Sequence, residues 1–522
     1  MSKNNLSVDR KYIELFAGCG GLSLGLESAG WKLDLANEIS PMAGETFAYN
    51  ILGENITQKK DGTESKVCNV NDLHSINIDE WKGKKLVIGD VVRLVDTLRQ
   101  NPKLSKRFKN IDLVSGGPPC QGFSMAGRRT ERDPKNRLPY AFVDFVELIK
   151  PKTVILENVE GILRPFKSEG GTKEPWLEIA KAFASIGYAP LCFLINARNF
   201  KIPQNRPRFI MLGIHKSLKK RTLSKLSDNL NSEIKRVFEH AFIFAEKDRE
   251  FISNYNGHDP AVHIDVIKND FAKNRNLPLK EIFNSHNLFP EMNSREVSVK
   301  AAIEDLSNNA GIRETKNKEL LIKSSEGSEY SNFLSRSLSK VLRHPQTHVK
   351  GLYNHELRKH SSKIVKRFTF LQEIKKLNDA KSRTIFESCL RGKEVSEEDL
   401  EKARLELAKS TRLREVIDFS SSANLKSSIE MIRSKKHSQR AIKEDEPAPA
   451  QVTIPDDICH YSDKQPRVLT VREMARIQSF PDDFVFRAKV TTGGGIEKQK
   501  YLNTRKLVML YPHCLVKQLE LG

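Results

Sequence analysis

A cysteine follows two prolines within a glycine-rich stretch, Gly116 to Ser124. The apolar run before it, Ile111 to Val114, predicts a buried strand that ends in a rigid loop, because proline fixes φ and glycine allows unusual φ. A thiolate is the most nucleophilic common side chain near neutral pH, so Cys120 is the first candidate for covalent chemistry. A tight turn with a small buried cysteine is the alternative that this motif alone would favour.

Glu38, Asp90 and Glu157 each end or follow a short apolar run that predicts a strand. Strands that alternate with helices form a parallel sheet, whose ligand site lies at the carboxyl ends of the strands. Each of these acids alone is more often a cap or a turn residue. Because Cys120 also follows a strand, the four residues together favour one shared cleft.

A glycine turn follows the first predicted strand. The strand pattern from Tyr12 to Phe16 runs into Ala17 to Gly21 and then into a helix pattern. Glycines let backbone N–H groups approach a ligand, and the start of a helix adds partial positive charge. The turn lacks the G-x-G-x-x-G pattern of dinucleotide sites. It therefore indicates a nucleotide-type site of another kind.

The composition indicates a polyanionic partner. The chain has 522 residues and a formal net charge of +21, and nucleic acid is the common partner of such proteins, although a merely basic protein is the alternative. Seven scattered cysteines without a C-x-x-C pair argue against a disulfide framework or a zinc site. No apolar run approaches the roughly 18–20 residues of a membrane span, and the start lacks an apolar signal core, so we expect a cytoplasmic protein.

The order of these motifs resembles that of the bacterial DNA (cytosine-5) methyltransferases. The matching stretches are Phe16 to Gly21, Gly116 to Ser124, Glu157 to Val159, Gln204 to Phe209, and Arg467 with Leu469 to Pro481. They cover about residues 10–215 and 458–490. So many motifs in the same order make a chance match improbable. The resemblance implies methyl transfer from S-adenosylmethionine to cytosine in double-stranded DNA.

The chemistry of that reaction assigns roles to the catalytic candidates. Attack of a thiolate on C6 of cytosine makes C5 nucleophilic, and Cys120 fits this role. A buried carboxyl group can protonate or hydrogen-bond N3, which fits Glu157, with Asn158 orienting that group or its loop. The resemblance implies that Arg208 faces O2 of the base and that Arg206 holds the catalytic loop and the carboxylate. A helix-start carboxylate and a solvated arginine pair are the alternatives.

The resemblance also implies a binding site for the methyl donor at the strand ends and the glycine turn. Its residues would be Phe16, Gly18, Gly20, Leu22, Glu38, Asp90, Pro118 and Leu138. Phe16 would pack on the adenine, Glu38 would hold the ribose, and Asp90 would bind the adenine amino group. Backbone from Gly18 to Leu22 would meet the amino-acid part. No metal is expected.

The cytosine must leave the stacked duplex before it can react, at a cost of roughly a few kcal/mol. The stretch from Ser124 to Asn136 resembles the family's mobile loop, which closes over the flipped base. Its basic residues, which suit phosphate contacts, are Arg128, Arg129, Arg132 and Lys135. An ordinary solvated loop is the alternative.

The composition changes after residue 215, where charged residues dominate and glycine turns are sparse. By the resemblance, residues 1–215 form the catalytic domain, residues 216–455 a target-recognition and DNA-binding region, and residues 456–522 a return to the catalytic domain. The fold class is then α/β, a Rossmann-like S-adenosylmethionine-dependent methyltransferase domain with a mostly inserted target-recognition domain.

Four stretches of the middle region carry structural expectations. Val297 to Leu306 resembles the family's helix that leads toward the specificity region. Asn354 to Phe368 predicts a basic, DNA-facing element, and a metal site at its two histidines is the alternative. Lys393 to Leu413 predicts an exposed helix of alternating charge, and Lys443 to Pro455 predicts a linker.

The end of the sequence departs from the family pattern. Family members typically finish with a Gly-Asn-x-Val-Pro-Pro segment, which is missing after Tyr501. Codons for Leu507 onward, read from their third base, can encode Gly-Asn-Ala-Val-Pro-Pro. We therefore hypothesise a frameshift near Leu502. Such a frameshift would remove one wall of the cofactor pocket.

The leading interpretation is a monomeric DNA cytosine-5 methyltransferase that is paired with a restriction endonuclease. A catalytically impaired DNA-binding relic is an alternative because of the altered end. A tRNA cytosine-5 methyltransferase with the same core is a further alternative, which the large basic middle region disfavours.

Sequencing of the coding DNA tests the frameshift. We expect a single-base insertion or deletion near the codon for Leu502 whose correction restores the missing segment. If no single-base change restores it, the frameshift hypothesis is wrong.

Overall fold

The computed structural model describes the chain in segments. They are residues 9–58, 64–119, 137–168, 171–225, 232–257, 259, 262–268, 296–307, 312–314, 320–323, 327–345, 348, 351–434, 439–450 and 458–487. Cys120, the basic stretch up to Asn136 and the atypical end after Tyr501 lie outside these segments. The predictions for those residues therefore stay predictions.

The described residues form strands, α-helices and shorter helical turns. The strands are β1 Lys11–Leu15, β2 Lys32–Glu38, β3 Val67–Asn69, β4 Leu86–Ile88, β5 Leu113–Gly116, β6 Thr153–Val159, β7 Phe166–Ser168, β8 Gly171–Lys173, β9 Tyr188–Asn196, β10 Gln204–Asn205, β11 Pro207–His215, β12 Val266–Lys268, β13 Ile312–Glu314, β14 Leu320–Lys323, β15 Leu352–Tyr353, β16 Arg440–Ala441, β17 Ala448–Pro449 and β18 Ile458–Cys459.

The α-helices are α1 Gly21–Ser28, α2 Pro41–Phe47, α3 Ile78–Gly83, α4 Val91–Gln100, α5 Pro102–Ser105, α6 Leu138–Ile149, α7 Pro175–Ser185, α8 Lys219–Lys225, α9 Ser232–Glu246, α10 Arg249–Asn254, α11 Val299–Ser307, α12 Glu329–Leu338, α13 Ser362–Lys376, α14 Ala380–Leu390, α15 Glu397–Leu407, α16 Thr411–Arg414, α17 Ser422–Ile432 and α18 Val471–Ile477. A π-helical turn spans Ala48–Leu52, and the 3₁₀ turns are Val70–His74, Lys106–Phe108, Glu160–Leu163, Ala197–Phe200, Lys216–Leu218 and Ser339–Val341.

A nine-stranded sheet in the order β12-β9-β11-β6-β5-β1-β2-β4-β3 forms the centre of the molecule. β11 runs antiparallel to β6 and β9, and the other neighbouring pairs are parallel. Strands β1, β5 and β6 are buried along nearly their whole length, as expected for parallel strands covered on both faces. The predicted α/β, Rossmann-like fold is confirmed.

The main hydrophobic core extends beyond residue 215. It includes Phe242 of α9, Val266 of β12, Ile303 of α11 and Leu334 of α12, together with side chains of the central sheet. β12 pairs with β9 and so belongs to the sheet itself. The main core thus crosses the domain boundary that we predicted from composition.

Helices α13 to α17 form a unit with a second core. Leu371, Phe386, Leu400 and Leu425 are buried in this core. The predicted helix of alternating charge is present over Glu397–Leu407, but the expected exposure is wrong for one face. Leu400, Ala403 and Leu407 follow a spacing of three and four residues that gives α15 a buried face. The alternating charges lie on its other side.

The proline-rich stretch after residue 439 is not a linker where the structure describes it. β17 pairs in parallel with β10, and Ala448 N donates to Pro203 O at 2.9 Å. The first N–H groups of α11 donate to the carbonyl oxygens of Glu446 and Glu444 at 3.0 and 2.8 Å. Proline is compatible with such a short edge strand because its missing N–H faces away from the pairing. The predicted linker is therefore wrong up to residue 450.

Buried arginines hold the return segment against the middle region. Arg472 is fully buried and donates to the carbonyl oxygens of Tyr353 at 2.9 Å, Pro481 at 2.6 Å and Phe484. Arg476 pairs with Asp305 and Asp482. Burial of a charge is costly unless it is paired, so these contacts fix where α18 lies.

His355 is buried, although the sequence predicted a DNA-facing element for its stretch. It is 3% exposed, its Nδ1 lies 2.9 Å from Thr470 Oγ1, and its Nε2 lies 3.2 Å from Leu306 O. It therefore joins α11 to the start of α18. Among the described segments, no group of three or more His, Cys, Asp or Glu residues could hold a metal ion. In the same segments, no helix is long and apolar enough to cross a membrane.

His460 is fully buried, with Nε2 3.6 Å from Glu473 Oε1. Burial lowers its pKa to about 4. The positive charge of Arg467 also lowers this pKa, whereas the Glu473 carboxylate raises it. In the unfolded chain this histidine takes up a proton near pH 6.5, whereas the folded protein keeps it neutral. Stability is therefore lost as the pH falls from about 6.5 toward 4, by up to about 3 kcal/mol for this group.

We expect His460→Asn, which keeps an acceptor for Ser462 N, to flatten the fall in unfolding free energy below pH 6.5. Urea unfolding across a pH series measures the slope. His74→Asn, at an exposed histidine, serves as the control and should leave the slope unchanged. An unaltered slope in His460→Asn would contradict the prediction.

Candidate active site

The glycine turn after β1 has an unusual backbone. Phe16, Gly18 and Gly20 have φ values of 58°, 59° and 94°. Such values cost glycine little, but they are strained for a bulky aromatic residue. The turn is held by Ala17 N donating to Asn37 O at 2.9 Å and Gly20 N donating to Ala17 O at 3.0 Å. These hydrogen bonds maintain the strained conformation, and Phe16 is half-buried directly after the carboxyl end of β1.

Glu38 connects this turn to β2. Its side chain is 2% exposed, and its two oxygens accept from Gly18 N and Ser40 N, each at 2.8 Å. A carboxylate has about four acceptor sites, so hydrogen bonds from ribose hydroxyls remain compatible with these contacts. Glu38 thus positions the glycine turn, whatever ligand it binds.

Asp90 begins α4 as its N-cap. Its Oδ1 accepts from Val92 N at 2.8 Å, and the side chain is half-buried. The preceding Gly89 has φ 148°, and a Cβ there would come within 2.1 Å of Val70 Cγ1. Asp90 is therefore a helix cap, as one of the two interpretations of the sequence held. Its carboxylate lies at the same edge of the sheet as Glu38, because Gly89 N donates to Glu38 O at 3.0 Å.

Two apolar side chains at this edge were missed by the sequence reasoning. Ile39 is 64% exposed and follows Glu38 directly, and Val92 is 41% exposed and lies two residues after Asp90. Single exposed apolar residues are common on protein surfaces. The signal in the sequence is that each lies beside an acid at a strand end.

Glu14 lies beneath the turn and was also missed. It is fully buried on β1, and Ser23 Oγ of α1 donates to its carboxyl group. Burial raises its pKa to about 8, so the group is neutral at pH 7. The neutral acid joins α1 to β1, and it adds no negative charge beneath the glycine turn.

Glu157 and Arg208 meet where β6 ends and β11 begins. Arg208 Nε lies 2.9 Å from Glu157 Oε1, and both side chains are buried. The N–H does not point at that oxygen, so the contact is an ion pair without a hydrogen bond. Among the described residues, Glu157 Oε1 therefore has no hydrogen-bond donor. A buried oxygen of this kind is suited to a hydrogen bond with a ligand.

Arg206 lies between β10 and β11 and is 5% exposed. The backbone N–H of Arg206 donates to Asn196 Oδ1 at 2.8 Å, and Asn196 Nδ2 donates to Asn205 Oδ1 at 2.7 Å. Asn196 was not predicted from the sequence, because its role depends on pairing across a turn. Together with β17, it fixes the backbone that carries Arg206.

Asn158 contacts the loop that leads to Cys120. Its Nδ2 donates to Pro118 O at 3.3 Å, and its Oδ1 accepts from Val159 N at 2.8 Å. At Gly116 a Cβ would lie 2.4 Å from Leu15 O, so glycine allows β5 to approach β1 there. The Asn158–Pro118 contact is compatible with the predicted loop-orienting role of Asn158, which stays a prediction.

The structure brings most of the predicted site residues to one edge of the sheet. Those at strand ends and in the turns beside them are Phe16, Gly18, Gly20, Glu38, Asp90, Pro118, Glu157, Asn158, Arg206 and Arg208. Leu138 is half-buried in the first turn of α6. Leu22 is 1% exposed in the core, so a ligand could meet its backbone but hardly its side chain.

Curated relatives match part of the chain. Type II methyltransferase M.DdeI from Desulfomicrobium norvegicum is 34% identical over 208 residues, which is 39% of this chain and 40% of that protein. M1.HphI from Haemophilus parahaemolyticus is 33% identical over 205 residues, 39% of this chain and 45% of that protein. The chain thus spans less than half the length of these relatives.

Among solved structures, a candidate DNA modification methyltransferase encoded within an E. coli prophage aligns over 98% of both chains. Its identity is 20% and its TM-score is 0.48.

A family model for C-5 cytosine-specific DNA methylases matches residues 10–79, 79–363 and 310–499. These matches include the glycine turn, Glu157 and the Arg206 segment. Because they extend over most of the sequence, the chain belongs to the family of C-5 cytosine-specific DNA methylases.

Proposed function

We propose that this chain transfers a methyl group from S-adenosylmethionine to C5 of a cytosine flipped out of a specific duplex DNA sequence. The observation that carries the proposal is the buried Glu157–Arg208 pair, whose Glu157 Oε1 has no hydrogen-bond donor among the described residues. It lies at the same sheet edge as the strained glycine turn. An acid–guanidinium pair beside a nucleoside-type site suits a heteroaromatic base whose charge changes during reaction.

The residues at the turn fit the methyl donor. Backbone N–H groups of the turn at the start of α1 suit its amino-acid part, and Phe16 and Ile39 offer apolar surface for the adenine. Glu38 and Asp90 supply acceptors for the ribose and the adenine amino group. When bound, S-adenosylmethionine supplies an electrophilic methyl group for C5 of cytosine.

The protein's own groups carry the remaining steps. The Cys120 thiolate forms a bond to C6, and the electron pair displaced from the C5–C6 bond moves toward N3 and O2. Glu157 enters this step in its protonated form and gives its proton to N3, which leaves the carboxylate that pairs with Arg208. Arg208 stabilises charge at O2. After methylation, a water molecule accepts the C5 proton, the C5–H electron pair re-forms the C5–C6 double bond, and the thiolate leaves C6. The proton on N3 returns to Glu157. Arg206 and Asn158 hold the loops in place.

Duplex DNA is the proposed partner, and a restriction endonuclease the proposed functional counterpart. The net charge of +21 supports a polyanion, and the relatives are named type II methyltransferases. Methylation of one sequence would protect it from the paired nuclease. We propose a monomer that works in the cytoplasm.

Transfer of label from S-adenosylmethionine to duplex DNA, compared with RNA, tests the proposal. Bisulfite sequencing of a host that expresses the chain would report both activity and target sequence. Transfer to RNA alone would favour the tRNA alternative, and transfer to neither would favour the relic.

We expect Cys120→Ser to reduce transfer to DNA below detection, since an alcohol is a far weaker nucleophile than a thiolate at neutral pH. Binding of S-adenosylmethionine should persist. Cys389→Ser, in the helical unit, is the matched control and should retain activity. Normal transfer by Cys120→Ser would refute the covalent mechanism.

We expect Phe16→Gly to weaken binding of S-adenosylmethionine by about three- to tenfold, because an aromatic contact is lost. Glycine relieves the strain at φ 58°, so the variant should fold. Calorimetric titration measures the affinity. Asn110→Gly relieves a similar φ of 64° at the opposite edge of the sheet and should bind like the wild type. Equal affinity in Phe16→Gly would contradict the assignment of this ring.

A further inference from the structure

The side chain of Asn196 takes the place of a backbone hydrogen bond at the end of the sheet. Asn196 ends β9 and lies opposite Pro207, the residue between Arg206 and Arg208. Ala197 N donates to Arg206 O at 3.1 Å. In a regular antiparallel ladder two such residues exchange two bonds, so Arg206 N would donate to the Ala197 carbonyl oxygen. Arg206 N donates instead to Asn196 Oδ1 at 2.8 Å.

The Asn196 amide also contacts both ends of the connection between β9 and β11. Its Oδ1 accepts from Arg198 N at 3.4 Å, at the start of the 3₁₀ turn Ala197–Phe200. Its Nδ2 donates to Asn205 Oδ1 at 2.7 Å, directly before Arg206. An amide carries a donor and an acceptor in one planar group, so it can bond to both ends at once. Asn196 thereby joins the first residues of this connection to its last ones.

Removal of the Asn196 side chain would disturb the backbone of Arg206. Arg206 is 5% exposed, so its N–H cannot simply turn to water. The N–H would either stay without a partner, which costs free energy, or move toward the Ala197 carbonyl oxygen. The first outcome loosens the connection before β11, and the second displaces Arg206. Both change the start of the strand that carries Arg208.

We propose that Asn196 is a positioning residue for methyl transfer, which holds the backbone of Arg206 and the start of β11 in the arrangement that the reaction needs. The inference rests on the proposed function. Arg208 Nε lies 2.9 Å from Glu157 Oε1, so a shift at the start of β11 changes this pair directly. Small displacements of groups that act on the reacting base slow the reaction strongly. Asn196 acts through the backbone, so it sets the rate on bound DNA and not the affinity for DNA.

Asn77 offers a matched comparison within the chain. Its Oδ1 also accepts from two backbone N–H groups, those of Asp79 at 3.0 Å and Glu80 at 2.8 Å. These bonds cap the start of α3, which precedes β4 and so does not follow the carboxyl end of a strand of the site. Loss of such a cap lowers stability. Asn77 and Asn196 thus share the kind of bonding and differ in what they hold.

The test measures single-turnover methyl transfer at saturating S-adenosylmethionine and saturating duplex DNA that carries the sequence methylated in an expressing host. Asn196→Ala should react about ten- to a hundredfold more slowly than the wild type. Its affinities for the duplex and for S-adenosylmethionine should stay within about twofold, because the rate and not the binding depends on Asn196. Asn77→Ala should melt at a lower temperature and react at the wild-type rate. Asn196→Asp keeps the acceptor for Arg206 N, and Asn205 can turn its amide to donate, so its rate should stay within about threefold of the wild type.

A wild-type rate in Asn196→Ala, with or without weaker DNA binding, would overturn the positioning role and leave the proposed function intact. An equal loss of rate in Asn77→Ala would also overturn it, since the loss would then reflect stability. So would an Asn196→Asp variant as slow as Asn196→Ala. If Asn196→Ala does not fold, Asn196→Gln, which moves the amide by one methylene, serves in its place with the same expected loss. Wild-type protein that transfers no methyl group to DNA would overturn the proposed function itself.

Discussion

The reversed direction of one strand determines which residues meet at the edge of the sheet where the candidate site lies. β11 runs antiparallel between β6 and β9, so its first residues lie beside the carboxyl ends of both neighbours. Arg208 therefore meets Glu157, although the two are far apart in sequence. In an all-parallel sheet, the start of β11 would lie at the opposite edge, and the guanidinium and the carboxylate could not form a pair.

Buried charge makes this arrangement specific. Glu157, Arg208 and Arg206 are all nearly inaccessible, and each would be costly to bury without a partner. The same holds for Arg472 and Arg476, whose carbonyl and carboxylate partners come from both the middle and the return segments. Such contacts tolerate little displacement, which suits a site whose catalytic groups must be held within fractions of an ångström.

The middle region is more closely integrated with the central sheet and its core than its composition indicated. β17 lies beside β10, immediately before Arg206, and the carbonyl groups that precede it receive the first N–H groups of α11. A stretch rich in proline and charge is typical of a linker, and only its pairing partner makes it a strand. Likewise, His355 is polar in sequence and buried in the fold, because Thr470 and Leu306 satisfy its two nitrogens.

The sequence by itself determined the α/β class, the glycine turn, and the acids and arginines at strand ends, because these depend on local patterns of apolar runs, glycine and proline. It did not determine that Arg208 pairs with Glu157, and it did not reveal the roles of Asn196 and Glu14. Those depend on strand direction, on burial, and on backbone angles that arise when distant segments pack together. Tertiary structure decided them because a hydrogen bond or an ion pair requires proximity in space.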